Sequence, residues 1–366
     1  MNFIWLVYIF FPVLIIILFE LLFLKFYKLK KKSNYEFREK INLDKITVES
    51  HPYLPFIYKK NANVKGGLIN YPLNKSIEAP NLKLNSLRFA NGLEGDKEII
   101  LPKPKELIRI NCLGASTTGN YIKQNNENYS YPIILQNKLN KHKENIEVNN
   151  CAQGGYNSLD ILIRFQTSIV DTDPDIIILY HAYNDIRSYL TNNISPDYFH
   201  SRLNFPDKSL RFILDHYLPN PKINFLNYLR SKFLQTDLRL DLLNMVTKGK
   251  FEISNEISEG LRIYKRNISF LLDICVSKKI DVLMSTFCFY LHDNVKHDEL
   301  HKRYFEIVLE ENKIIKELAK KYEFKCVDLE NLVPKNEKYF LDTIHFSKDG
   351  MEFVADEFYK EIKKKV

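Results

Sequence analysis

Ile110-Asn111-Cys112-Leu113-Gly114-Ala115-Ser116-Thr117-Thr118-Gly119 is the stretch on which the reading of the fold turns. Leu107 to Leu113 is apolar except for Arg109 and Asn111, the pattern of a short buried strand. The run stops at a glycine, two small residues and then a second glycine, a composition that describes a strand feeding a tight turn. In open α/β sheets such a turn lies at the carboxyl end of a parallel strand, where ligands bind, and its free N–H groups can face a developing negative charge. Ser116 is the candidate nucleophile on this turn. The same residues also suit a polar turn that caps the next helix, and the rest of the chain has to separate the two.

Outward from that turn the pattern alternates. Tyr131 to Leu139 reads as a helix with Pro132 in its first turn, and Ile146 to Val148 as a strand leading into Asn149-Asn150-Cys151-Ala152-Gln153-Gly154-Gly155. Leu159, Leu162, Ile163, Gln166, Ile169 and Val170 follow at helical spacing. Asp175 to Tyr180 is a buried strand that runs straight into His181-Ala182-Tyr183-Asn184-Asp185. Beyond residue 255 come helical faces at Ile257–Cys275 and Leu300–Tyr322, strands at Asp281–Phe287 and Phe324–Leu329, and a final helix over Met351–Ile362. Strands and helices alternating at this rate imply an α/β fold, a parallel sheet covered on both faces. Residues 186–255 break the rhythm with Pro196, Pro206, Pro219 and Pro221 and an amphipathic run, and read as a helical insertion, either a substrate cap or a structural excursion. Residues 33–105 are expected to be an extended segment that packs on the catalytic body of residues 106–366.

Composition narrows the partners. The 366 residues are 45% hydrophobic and 27% charged, and 53 Lys and Arg against 45 Asp and Glu give a net charge of +8. Much of that excess lies in two short Lys-rich runs near the ends, without the basic, aromatic-interleaved stripe that binding nucleic acid requires. Five cysteines with no C-x-x-C pair make neither a disulfide framework nor a zinc site, and most sit in apolar stretches as small hydrophobes. Phe3 to Leu24 is almost wholly apolar, and as a helix it spans about 33 Å, enough to cross a bilayer core. Residues 1–32 are therefore expected to be a single-pass anchor in the lipid bilayer with its basic flank. Lys25, Lys28, Lys30, Lys31 and Lys32 favour a cytoplasmic catalytic domain, but long domains can cross regardless of charge and the side stays open.

A serine hydroxyl needs a base, and the base needs a carboxylate that fixes its tautomer. Asp342-Thr343-Ile344-His345 supplies both on one turn, with His345 as base and Asp342 as its orienter. For the oxyanion, the candidate donors are the backbone N–H groups of Ser116 and Gly155 and the side-chain amide of Asn184. Cys151 has no local base, and His181, His292, His297 and His301 are expected at the surface or in loops.

Gly114-Ala115-Ser116, Asn150 to Gly155, Ala182 to Asp185 and Asp342 to His345 occur in the order and approximate spacing of the four blocks of the SGNH hydrolases, the GDSL esterase/lipase family, which the chain resembles over roughly residues 106–185 and 256–366. The resemblance implies a flavodoxin-like three-layer α/β/α fold. It also implies serine esterase activity with Ser116 as nucleophile, Gly155 and Asn184 as oxyanion donors, Asp342 and His345 as acid and base, and no cofactor. Ala115 stands where the family's name-giving Asp would be, and Ala182 replaces the usual glycine of the third block. The expected function is removal or transfer of a small acyl group, acetyl foremost, on a carbohydrate or lipid. The competing reading is a catalytically silent glycan-binding or assembly protein on the same fold.

Overall fold

Five of these apolar runs become five parallel strands of one sheet in the computed structural model, which describes residues 47–49, 51–73, 75–189, 194–198 and 254–366 together with Ile15, Leu18 and Leu22. The strands are β1 (Ile108–Gly114), β2 (Ile146–Asn150), β3 (Ile176–Tyr180), β4 (Asp281–Ser285) and β5 (Lys325–Val327). Their order across the sheet is β2-β1-β3-β4-β5, with Val148 beside Ile110 and Tyr180 beside Gly114. In this doubly wound order the chain turns from β1 outward to β2 and then back across to β3. The crevice beyond the carboxyl ends of β1 and β3 is where such sheets take ligands.

The main helices are α1 (Tyr131–Asn140), α2 (Ser158–Arg164), α3 (Ser254–Lys278), α4 (Glu299–Lys321) and α5 (Lys348–Ile362). They pack in two groups, α1 with α5, and α3 with both α2 and α4. The fold is thus α/β around a central parallel sheet. Phase explains the packing of α4 and α5: Ile307, Val308, Ile315 and Leu318 are the buried stripe of the first, and Met351, Val354, Ala355, Phe358 and Ile362 that of the second. Asn157 caps α2 through a reciprocal pair with Asp160, and Ser347 caps α5 by accepting from Gly350 N–H.

Arg109 and Asn111, the two polar residues that interrupt the β1 run, are fully buried, and each of their side-chain nitrogens has an acceptor. Arg109 Nε donates to Glu147 Oε2 at 2.6 Å and its Nη2 to the Ile100 carbonyl at 2.9 Å. Asn111 donates to Thr172 Oγ1 at 2.8 Å and accepts from Asn149 at 3.0 Å. A buried strand tolerates such groups because each polar atom finds a partner.

Several expectations need correction or fall elsewhere. Residues 67–79, expected to be part of an extended segment, form a hairpin of strands Gly67–Tyr71 and Lys75–Ala79 that continues through Ile122–Gln124 and Glu127–Tyr129 into a four-stranded antiparallel sheet. β5 stops at Val327, and Leu329 opens a helical turn, Leu329–Leu332. His181 and His292 lie in loops, as expected, and are buried there. The apolar stretch 3–24, apart from the three residues named above, and residues 190–193 and 199–253 of the insertion lie outside the described residues. Among those described, no helix is long and apolar enough to cross a membrane.

Candidate active site

Ser116 sits on the turn that leaves β1. Thr118 N–H and Gly119 N–H both donate to the Ala115 carbonyl, at 3.2 and 2.8 Å, which curls the chain once around. Gly114 is what lets the turn begin there: a Cβ at this position would lie 2.5 Å from the Tyr180 carbonyl oxygen and 2.2 Å from Thr118 Oγ1. The turn is then tied down on two sides. Thr118 Oγ1 accepts from the Tyr131 hydroxyl at 3.2 Å, and Asn150 Nδ2 donates to the Thr118 carbonyl at 3.2 Å.

The loop before α5 brings the base. Leu341 N–H donates to the His345 carbonyl at 2.8 Å and Ser347 N–H to the Tyr339 carbonyl at 3.0 Å, so the loop folds on itself just ahead of its helix cap. His345 Nδ1 lies 2.7 Å from Asp342 Oδ2, and His345 Nε2 lies 3.0 Å from Ser116 Oγ. The other oxygen, Asp342 Oδ1, accepts from the backbone N–H groups of Ile344 and His345 at 2.8 and 2.7 Å. Burial alone raises the pKa of the Asp342 carboxyl. The hydrogen bond and charge of His345 and the two backbone N–H donors outweigh it and hold the carboxyl below its ordinary value. An ionised Asp342 holds the proton of His345 on Nδ1, which leaves Nε2 with a lone pair facing the serine.

The loop of Asn184 follows β3. Asn184 Nδ2 donates to the Tyr156 carbonyl at 2.8 Å, tying it to the segment that contains Gly155, whose φ of +84° is a conformation glycine adopts without strain. Sequence reasoning missed what shapes this loop. Tyr183 takes a φ of +59°, and its N–H donates to Glu311 Oε2 at 3.2 Å. Glu311 is fully buried on α4 and also accepts from the Tyr189 hydroxyl at 2.8 Å. Burial, and then the nearby charge of Asp185, push the Glu311 carboxyl well above the usual range, so it stays protonated. Asp185 in turn accepts from Ser158 N–H, from His181 Nε2 and from the Tyr198 hydroxyl, each at 2.8 Å.

Ser116, His345 and Asp342 are thus joined in one chain of hydrogen bonds, while Gly155 and Asn184 are joined to each other's loops through Tyr156. Ser116 and His345 open into a cavity of about 240 Å³, whose lining includes Gly119 and Gly154 but neither Gly155 nor Asn184. A Cβ on Gly154 would stand 3.9 Å from that of Ser116. Tyr58, Tyr71, Ala90 and Asn120 also line it. Their positions in polar, irregular sequence gave no signal of this role. The Tyr71 ring lies 6.2 Å from that of His345. Cys151 offers no rival nucleophile: burial is the main cause that pushes its thiol up to about 12.

The model of the GDSL-like Lipase/Acylhydrolase family matches residues 112–353. No curated protein matches the chain. Among solved structures, a lipase/acylhydrolase from Enterococcus faecalis is similar at 15% identity, over 71% of this chain and 97% of that one, with a TM-score of 0.44. A GDSL-like lipase from Bacteroides thetaiotaomicron is 13% identical, over 73% and 93%, at a TM-score of 0.41. The acetylxylan esterase Axe2 from Geobacillus stearothermophilus is 14% identical, over 70% and 94%, also at 0.41.

Proposed function

Because the chain belongs to the GDSL-like lipase/acylhydrolase family, and is thereby a hydrolase of ester bonds, we propose that it is a membrane-anchored serine esterase that takes a small acyl group, acetyl foremost, from a carbohydrate or lipid. The observation that carries this reading is the continuous chain from Asp342 through His345 to Ser116, at 2.7 and 3.0 Å. In the first step Ser116 Oγ forms a bond to the ester carbonyl carbon while His345 Nε2 takes the hydroxyl proton. The Ser116 and Gly155 N–H groups and the Asn184 amide are the proposed donors to the oxyanion. Collapse of this intermediate breaks the bond to the alcohol, which leaves with the proton from His345. Water then attacks the acyl-serine, His345 takes a proton from it, and the free acid departs as Ser116 is restored. An acceptor hydroxyl in place of that water turns the same residues to transfer.

A cavity of about 240 Å³ at Ser116 and His345, below the roughly 300–1,000 Å³ of sites that hold drug-sized ligands, supports a small ester over a bulky one. The anchor rests on the apolar run from Phe3 to Leu24. A fluorophosphonate probe is expected to label Ser116, and Ser116→Ala to lower p-nitrophenyl acetate turnover by roughly 10⁴-fold or more at unchanged melting temperature. An unlabelled Ser116, or turnover equal to the parent's, leaves only a silent binding protein on this fold.

A further inference from the structure

Asn120 follows the Ser116 turn by one residue beyond Gly119 and lines the same cavity. Its Nδ2 is buried and, among the described residues, no atom accepts from it. Buried amide donors are almost always paired, and this one stands in the wall of the space that holds the nucleophile and base. It is also separate from the proposed oxyanion donors, which reach the site from the Ser116, Gly155 and Asn184 backbone and side-chain groups.

Two further walls of the cavity are Tyr58 and Tyr71, which come from the segment before β1, outside the span that the family model matches. Burial first, then the negative charge of Asp342, push the Tyr71 phenol up to about 12, so it keeps its proton and remains a donor at any working pH. Tyrosine rings offer an apolar face beside a polar tip, and a buried amide offers directed donors. That combination suits a hydroxylated ring, which stacks and accepts at once. An alkyl chain in the same place leaves the Asn120 donor unpaired in an apolar contact.

We propose that Asn120, Tyr58 and Tyr71 form a subsite for the alcohol part of the ester, in which the Asn120 amide donates to a hydroxyl or ring oxygen, so that the alcohol is a hydroxylated ring of the sugar class and not an aliphatic lipid. This rests on the esterase reading above and narrows its substrate.

The test compares full-length protein in detergent on a mono-O-acetylated methyl glucoside as the sugar acetate, p-nitrophenyl acetate and tributyrin. The parent enzyme is expected to favour the sugar acetate over tributyrin. Asn120→Ala is expected to lower the ratio of kcat/KM on the sugar acetate to that on the aryl acetate by about tenfold, mainly through KM, a discrimination typical of a lost substrate hydrogen bond. Asn120→Asp, which keeps the shape and exchanges donor for acceptor, is expected to lower the ratio as far. An equal loss on both acetates makes Asn120 an oxyanion or folding residue and overturns the subsite. So does a ratio that Asn120→Asp leaves untouched, or a parent enzyme that prefers tributyrin. No turnover of any ester by the parent, with Ser116 unlabelled by fluorophosphonate, is instead the failure of the esterase reading itself.

Discussion

Asp342→Asn separates positioning from packing, because an amide occupies the carboxylate's space with different hydrogen-bonding rules. The carboxylate accepts three N–H donors, from His345 Nδ1 at 2.7 Å and from the backbone of Ile344 and His345 at 2.8 and 2.7 Å. An amide has one accepting oxygen and one donating nitrogen. If its oxygen faces His345, its NH₂ collides with two backbone N–H groups that cannot change. If its oxygen faces the backbone, its NH₂ faces the ring, and the ring adapts by moving its proton to Nε2. The second arrangement keeps every pairing and therefore wins, but Nε2–H now points at Ser116 Oγ, 3.0 Å away, and cannot take its proton. The kcat on p-nitrophenyl acetate is expected to fall on the order of 10⁴-fold, the scale of loss when a triad orienter holds the wrong tautomer. KM is expected to stay within about threefold and stability within about 1 kcal/mol, since the oxygen that accepts from both backbone N–H groups is retained.

Asp342→Ala is the contrast. It strips the acceptor from both backbone donors, and since the Asp342 side chain is 17% exposed, water recovers part of the loss. The expected destabilisation is about 1–2 kcal/mol. The pH sign follows from the depressed pKa of Asp342: its contribution to stability is present above the ordinary carboxylate value of 3.8 and is lost as pH falls through the lower folded value. The Asn variant therefore loses less stability than the parent below about pH 4. Steady-state kinetics and melting curves on the three proteins decide the matter. An Asn variant with more than a tenth of the parent kcat refutes the tautomer argument.

Glu311→Gln tests the buried neutral carboxyl, whose folded pKa stands above its ordinary 4.5, so that the parent is most stable below that value and loses stability as pH rises. Gln still accepts from Tyr183 N–H and cannot ionise, so the variant is expected to melt higher than the parent at pH 8 with no difference in kcat; parallel melting profiles from pH 5 to 8 refute it. Glu311→Ala frees the Asn184 loop and is expected to lower kcat by up to about 100-fold, the low end for losing an oxyanion donor, read in the same aryl acetate assay. Arg109→Ala leaves the buried Glu147 carboxylate unpaired and is expected to cost about 3–5 kcal/mol in urea unfolding, most of it recovered in Arg109→Leu with Glu147→Leu. Gly114→Ala sets a methyl group 2.5 Å from the Tyr180 carbonyl and is expected to destabilise by about 1–3 kcal/mol, with fluorophosphonate labelling slowed in parallel.

The elements that sequence reading located are those whose signal is local. Apolar runs gave β1, β3 and β4, helical spacing gave α3, α4 and α5, and turns rich in small residues marked the loop of Ser116. The hairpin over 67–79 escaped because its first strand is exposed from Gly67 to Asn70, with Leu68 at 70%, so no alternation of buried and exposed residues exists to read. The burial of His181 escaped for a different reason: it depends on Asp185 and Tyr264, and Tyr264 lies 83 residues away.

Glu311 was legible in principle, and the reason bears on how such sites are read. It lies four residues after Ile307 and four before Ile315, on the apolar stripe of α4, where an unpaired carboxylate has no business. Asn267 sits in the same way between Ile263 and Leu271 on α3, and it too is buried, donating to Ser158 Oγ at 2.9 Å. Both polar residues thus stand at the apolar phase of long helices, and both serve one place. Ser158 binds Asp185, and Glu311 holds Tyr183, the two residues that flank Asn184. A polar group on a buried stripe is stable only if a partner meets it there, so its phase announces a partner before the fold is known. What phase cannot supply is the address. The tie between Tyr183 and Glu311 spans 128 residues, and only the packing of α4 against the sheet brings the carboxyl under the loop that it holds.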